Sequence, residues 1–417
     1  MPLYLPSLRH RDFTVYTVGR FVGNVGASVQ LWTVAWHVYQ VSGESSLHVG
    51  LLGLVRVLPL LLFSLVGGVA ADHFDRKKLM VVTRWAMTGI AITLAIVTVL
   101  GLASLTWIYS LVAIMSIARA FDGPARNALM VNLVPERDLP NALSVNGIAW
   151  RLSGVTGPII AGVMIAYGSL HLAYATSAVG NIVLLGALFF VKPVKQAYPD
   201  QPITSVKHVF SQIGAGFQFF KSSHIVRNTM IIDFWATFFS SADALFPAFA
   251  GPVLHLGPNG YGMLAAASGG GALIAAIVLA FRRTVKRQGI VVIGMIGVYG
   301  MATVLFGLSQ SLWMAMLFLM CTGAADMVST VLRQTIRQLA TPDNIRGRMA
   351  GVGVLFQVGG PQLGDVEAGV FAKFYGDRAS VVIGGCACLI VSAWYSAKSH
   401  LKSYIHVNNE PMGEEKQ

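Results

Sequence analysis

Charge is scarce in this sequence. Asp, Glu, Lys and Arg make up 12% of its 417 residues, about half the ~25% typical of soluble domains. Most of the folded surface must therefore face something other than water. Cysteine is nearly absent too: Cys321, Cys386 and Cys388 lie in apolar runs without metal-ligand spacing, which excludes a disulfide scaffold and leaves packing roles. There is no G-x-x-x-x-G-K-[ST] loop for ATP, no H-E-x-x-H and no G-x-S-x-G elbow. No catalytic site, metal site or cofactor site is expected, and the chain is not read as an enzyme. The 44 glycines have no three-residue period, so they suit close helix packing in lipid better than a collagen-like fibre.

What the chain has is apolar length. Hydrophobic residues reach 55% and mean hydropathy is +0.64, which describes an integral membrane protein. A helix crossing the ~30 Å hydrocarbon core needs about 20 apolar residues. Twelve such stretches can be placed near 13–39, 47–71, 79–101, 105–127, 143–166, 170–191, 225–250, 259–281, 289–308, 312–335, 348–373 and 379–397. No period-two alternation runs through them, so an all-α membrane protein is indicated rather than a barrel. No small-residue cleavage site closely follows the first span, so a removable signal peptide is not expected.

The basic residues give an orientation. One set of loops holds Arg76, Lys77, Lys78, Arg137, Lys192, Lys195, Lys207, Lys221, Arg282, Arg283, Lys286, Arg287, Arg337, Arg346 and Arg348, whereas only Lys373 and Arg378 flank the opposite loops. The positive-inside rule then puts both termini in the cytoplasm. The net charge of +12 is a topology signal, and no nucleic-acid partner is needed to explain it.

The chain also repeats. Arg126, Pro135, Gly157, Ala161 and Gly162 recur 207 residues later as Arg333, Pro342, Gly364, Ala368 and Gly369. The expected organisation is a six-helix half over 1–191, a linker over 192–224 with an amphipathic segment at 206–220, a second six-helix half over 225–397 and a tail over 398–417. Six helices per half give a parallel repeat, which predicts a central cavity between the halves.

Polar residues inside the spans are expensive and mark function by default. In the fourth span, Asp122 lies three residues after Arg119 and is its expected partner, with Arg126 on the same face. A purely structural ion pair is the alternative. The first span carries Arg20 and Asn24; the seventh carries Asp233 and Asp243. The tenth carries Asp326, Ser329 and Arg333 on one stripe, and the eleventh buries Asp365 and Glu367. Arg56 and Arg151 suit either the cavity or an interhelical tie. His37 and His255 read as interfacial, and Trp32, Trp36, Trp107 and Trp313 as an aromatic belt.

Three segments resemble signatures of the major facilitator superfamily. Gly67-Gly68-Val69-Ala70-Ala71-Asp72 followed by Arg76-Lys77-Lys78 is similar to its signature loop, although Asp75 stands where the family usually has glycine. Arg119-Ala120-Phe121-Asp122-Gly123 resembles its arginine motif, and Gly154-Val155-Thr156-Gly157-Pro158 through Gly162 resembles its antiporter motif. Pro124 to Ala128, Thr341 to Arg348 and Gly364 to Gly369 further resemble the bacterial branch with enterobactin-exporter and macrolide-efflux-type members.

The resemblance implies a major facilitator fold of twelve transmembrane helices and a conformational latch at Gly68, Asp72, Arg76 and Arg126. It also implies a monomeric bacterial inner-membrane exporter driven by proton antiport and working among membrane lipids. The expected substrate is a siderophore or amphipathic drug-like molecule, with neither ATP nor a cofactor involved. Proton-coupling candidates are Asp122, Asp233, Asp243, Asp326, Asp365 and Glu367. Cavity candidates are Arg20, Asn24, Arg119, Arg151, Asp233, Asp326, Ser329 and Arg333. An uncoupled facilitator or lipid-like flippase, or a non-transporting membrane sensor, are the other readings.

Overall fold

The computed structural model describes residues 6–192, 214, 216–281, 285, 287–342 and 345–398; the side chains of Leu65, Asp72, Arg346 and Ala350 are not described. The carboxylate of Asp72 expected in a latch, most of the linker with its expected amphipathic segment, Arg282, Arg283, Lys286 and the tail beyond residue 398 thus lie outside the described residues.

Among the described residues, twelve long helices carry the fold. The first half comprises α1 (Arg11–Val41), α2 (Ser46–His73), α3 (Arg76–Val99), α4 (Leu105–Val131), α5 (Leu139–Ala166) and α6 (Leu170–Phe190). The second half comprises α7 (His224–Ser240), α8 (Gly257–Ala280), α9 (Gln288–Gly307), α10 (Leu312–Ala340), α11 (Arg346–Tyr375) and α12 (Asp377–Lys398). Among the described residues, nine of these are long and apolar enough to cross a membrane; α1, α7 and α11 are not. Those three carry many of the buried polar groups, as helices that face a polar interior should.

The repeat extends to the helix ends. Ser104 and Ser311, 207 residues apart, cap α4 and α10, each hydroxyl accepting from the third following backbone N–H at 3.4 Å. Such a cap satisfies one of the unpaired donors of a helix start. Asp75 caps α3 by accepting from the Lys78 N–H at 2.9 Å, which explains how the signature loop turns without the usual glycine.

The seventh span departs from the expected continuous helix over 225–250. Helix α7 stops at Ser240, and the chain passes through short helical turns at Asp243–Leu245, Phe246–Ala248 and Phe249–Val253. Pro247 and Pro252 remove backbone donors there, and Gly251 has non-helical dihedrals (φ −81°, ψ −106°). Irregular backbone at membrane depth is tolerated where protein or a cavity surrounds it.

Two kinds of apolar cluster fix how the halves sit. On the face away from the termini, one cluster joins Val29, Trp36 and Ala161 of the first half to Phe246, Tyr261, Ala315 and Ala368 of the second. A second cluster there joins Tyr39, Leu52 and Leu111 to Ala244 and Ala248. On the terminal face each cluster stays within one half: Phe13, Tyr16, Met80, Leu129 and Leu188 in the first, Phe220, Met230 and Val352 in the second. The bundles are sealed together at the distal face and separate toward the terminal one.

Small residues permit the seal. A Cβ on Gly50 or Gly53 of α2 would strike the carbonyls of Asp365 and Gln362 on α11. In lipid, where tails compete equally for apolar contact, such close backbone approach is what holds helices together. Lipid-facing side chains are accordingly large and bare, Trp313 being 76% exposed and Leu62 71% exposed. The aromatic belt keeps Trp107 and Trp313 but not Trp36, which is 6% exposed, nor Trp32. Both pack in the distal seal, Trp32 stacked on Phe246 at 5.8 Å and Trp36 5.0 Å from Tyr261. Nor is His37 interfacial: it is buried, with Nδ1 2.9 Å from the Tyr174 hydroxyl.

Candidate functional site: a cavity between the halves

Under the distal seal lies a cavity of about 660 Å³ walled by both halves. Asn24, Trp32, Met87, Met115, Arg119, Trp150 and Arg151 come from the first half, and Asp243, Ala265, Ser268 and Val358 from the second. A side pocket of about 230 Å³ continues into the second half, sharing Asp243, Ser268, Gly269 and Ala272 and adding Tyr299, Thr322 and Asp326. A pocket of this size with an apolar lining and few polar groups suits a small organic ligand.

Buried charge beside the cavity is organised in two clusters. In the first half, Arg84 of α3 donates from Nε to Asp122 Oδ1 at 3.0 Å and from Nη2 to Oδ2 at 2.6 Å. Arg84 also donates to Asn181 of α6 at 3.1 Å, and Arg126 reaches Asp122 at 3.3 Å. The bidentate fork gives direction as well as energy. Asp122 is therefore held by Arg84 and Arg126 rather than by Arg119. Helical spacing put Arg119 on the right face, but the partner arrives from another helix. Arg84 was missed in the sequence because α3 otherwise reads as a plain apolar span. A lone arginine near its middle was the signal available.

In the second half, Arg333 of α10 meets Asp233 of α7 at 2.8 Å, and Arg337 lies 3.6 Å from the same carboxylate. Arg333 also donates to Thr330 at 2.8 Å and sits 3.5 Å from Asp326. Arg333, 1% exposed, and Ser329, equally buried, belong to the packed interior of this half. Arg20 is interior as well, donating to Met130 Sδ at 3.6 Å.

Other polar residues lie nearer the gap. Asp243, freed by the break after α7, is exposed and lines both cavities. The Asp326 side chain is 45% exposed despite its neighbours. Asp365 accepts from Ser241 at 2.6 Å, while Glu367 Oε1 is buried without a hydrogen-bond partner. Arg56 donates to the Leu31 carbonyl at 3.2 Å, an interhelical tie. Among the described residues, neither Arg119 nor Arg151 has a hydrogen-bond or ion-pair partner, and both line the cavity. No group of three or more metal-ligating side chains occurs among the described residues.

Residues 4–414 match the family described as transmembrane secretion effector. The chain belongs to this family of the major facilitator superfamily. It is 27% identical to the enterobactin exporter EntS of Citrobacter koseri over 384 residues, covering 92% of this chain and 90% of that protein. It is 26% identical to the enterobactin exporter EntS of Salmonella typhi, covering 92% and 91%. Two solved folds agree with this placement at low identity. The nucleoside transporter NupG has a TM-score of 0.70 at 13% identity, covering 94% of this chain and 100% of that one. A bacterial homolog of the human lysosomal transporter Spinster, in an inward-facing and unoccupied conformation, has a TM-score of 0.69 at 14% identity, covering 96% and 98%. The protein is a multi-pass membrane transporter of this superfamily.

The superfamily's motif segments can then be placed. In the signature loop the close approach is made by Gly67, whose Cβ would strike the Ala120 carbonyl of α4, while Gly68 faces open space. Arg76 Nε donates to the Ala71 carbonyl at 3.4 Å. The antiporter-type segment of α5 is a seam. Gly157 packs on Ser28 of α1, a Cβ on Gly162 would lie 2.8 Å from Gly262 Cα, and one on Gly262 would lie 2.6 Å from the Pro158 carbonyl. Gly154, by contrast, points its missing side chain into open space.

Proposed function

We propose that this transporter is a proton-coupled exporter of a siderophore or amphipathic drug-like compound, acting in the bacterial inner membrane with both termini in the cytoplasm. One observation carries this reading: a ligand-sized cavity walled by both bundles lies beneath apolar clusters that join the halves at the distal face, whereas the terminal-face clusters stay within one half. Rocking the bundles about the α5–α8 and α2–α11 contacts would expose it alternately to each side. The exporters among its relatives support the direction of transport.

Asp243, which lines both cavities, and Asp326, half exposed in the side pocket with Arg333 3.5 Å away, are the carboxylates best placed to carry protons; Asp122, although it also lines the cavity, and Asp233 are each clamped by two arginines. Each charge returning inward supplies ~2.3 kcal/mol per 100 mV. Reconstituted vesicles test the coupling. Export of the accumulated compound is expected to rise with an imposed inward pH gradient, and Asp243→Asn is expected to remove that dependence. Flux indifferent to the gradient would refute proton coupling and favour an uncoupled facilitator. The compound itself can be sought by mass spectrometry of medium from cells lacking the gene. Retention of an iron chelator points to siderophore export, and sensitisation to antibiotics points to drug efflux.

A further inference from the structure

The cavity has an electrical direction. On the first-half wall, Arg119 and Arg151 present guanidinium groups with no protein acceptor among the described residues. On the second-half wall stand Asp243 and, in the side pocket, Asp326. Trp32, Trp150 and Met115 line the cavity from the same half as the two arginines, giving that wall apolar surface with two planar indole faces. The other arginines near the cavity have acceptors already: Arg84 and Arg126 hold Asp122, and Arg56 holds the Leu31 carbonyl.

A guanidinium has five donors in a planar fork and stays charged, so an uncommitted pair facing a cavity with a mainly apolar lining matches an anionic group far better than a cationic one. Resting on the exporter reading above, we infer that the transported ligand is an amphipathic organic anion. Its acidic group binds at Arg119 and Arg151, its flat apolar body lies against the tryptophans, and any donor groups point toward Asp243. The arrangement discriminates against cations by leaving them beside two unpaired positive charges, which is a repulsive selection as much as an attractive one.

Two dyes sharing one xanthene body, anionic fluorescein and cationic rhodamine 6G, test this by fluorescence anisotropy. The full-length protein is held in nanodiscs of uncharged phosphatidylcholine, with empty discs subtracted. Fluorescein is expected to bind at least about tenfold more tightly than rhodamine 6G. Arg119→Gln and Arg151→Gln are each expected to weaken fluorescein by about tenfold while leaving rhodamine 6G unchanged or tighter. Arg119→Lys, which retains the charge, should recover most of the loss, and an unchanged melting temperature in each variant shows that the fold is intact. Tighter binding of rhodamine 6G, fluorescein affinity indifferent to both glutamine variants, or no measurable binding of fluorescein would overturn the inference. Binding is read at equilibrium, so it stands apart from flux. Anion preference without transport in vesicles would sink the exporter reading alone, and transport of cations only would sink this one alone.

Discussion

The two halves are built on one plan and distribute charge in opposite senses. Arg126 and Arg333 occupy equivalent repeat positions, and each reaches a buried aspartate. In the first half that aspartate, Asp122, is on α4 itself and is saturated by two arginines, and among the described residues Arg119 and Arg151 have no hydrogen-bond or ion-pair partner. In the second half the aspartate is on α7, and Asp326 and Asp243 are the groups left facing the cavity. Duplicated bundles have thus kept a common internal tie while one wall has become basic and the other acidic. The ties lie inside each half, while the cavity-facing groups, Asp326 among them despite its contact with Arg333 at 3.5 Å, stand where ligand and proton can reach.

The largest effect should come from breaking the saturated tie. Asp122→Asn would leave Arg84, 3% exposed, without its bidentate acceptor. Removing one member of a buried pair costs about 3–5 kcal/mol. A pronounced fall in melting temperature of the detergent-solubilised protein is expected, and a shift of only a degree or two would show that Asp122 is not the anchor of its half.

The second tie should yield more gently. In Asp233→Asn, Arg333 retains Thr330 at 2.8 Å and Asp326 at 3.5 Å. A loss of about 1–3 kcal/mol is expected, the cost of a partly unsatisfied group. Combining it with Asp326→Asn should destabilise beyond the sum of the single changes, by about 0.5–3 kcal/mol. Strict additivity in the thermal melts would mean that Asp326 gives Arg333 no reserve.

Much of this was legible in the sequence, and the gaps follow a pattern. Lipid imposes a length and an apolar composition on each span, so the helix count and repeat could be read residue by residue. The small-residue pattern at Gly157 and Gly162 likewise marked a packing seam. Pairing could not be read in the same way. Helical spacing relates Asp122 to Arg119 and Arg126 within α4, but only interhelical geometry brings Arg84 and Asn181 to meet there. The break after Ser240 was also hidden, because a run from 225 to 250 is apolar enough to span whether or not its backbone is helical throughout. Pro247 and Pro252 were the signs that it is not.

The seam between the halves offers a smaller test. Gly162→Val would force a side chain onto Gly262 and the Pro258 carbonyl, and overpacking of this kind costs about 1–3 kcal/mol. Gly154→Ala, in the same motif but facing open space, should stay within about 0.5 kcal/mol of the parent. Equal effects from the two would show that the motif acts through something other than the α5–α8 approach.

The smallest expected effect lies at the distal seal, where Tyr261 of α8 donates its hydroxyl to the Trp32 carbonyl of α1 at 2.8 Å. Tyr261→Phe keeps the ring contacts with Trp32 and Trp36 and deletes only that bond, which is worth about 0.5–1.5 kcal/mol. The seal spans the two halves, so its loss should register as faster amide hydrogen exchange at the distal ends of α1 and α8, with little change in the Asp122 and Asp233 clusters. Those clusters each lie within one half and do not depend on whether the halves are closed together. Exchange that accelerates equally at α3 and α4 would mean that the halves are not independent rigid bodies, and the contrast between internal ties and a separable seal would have to be abandoned.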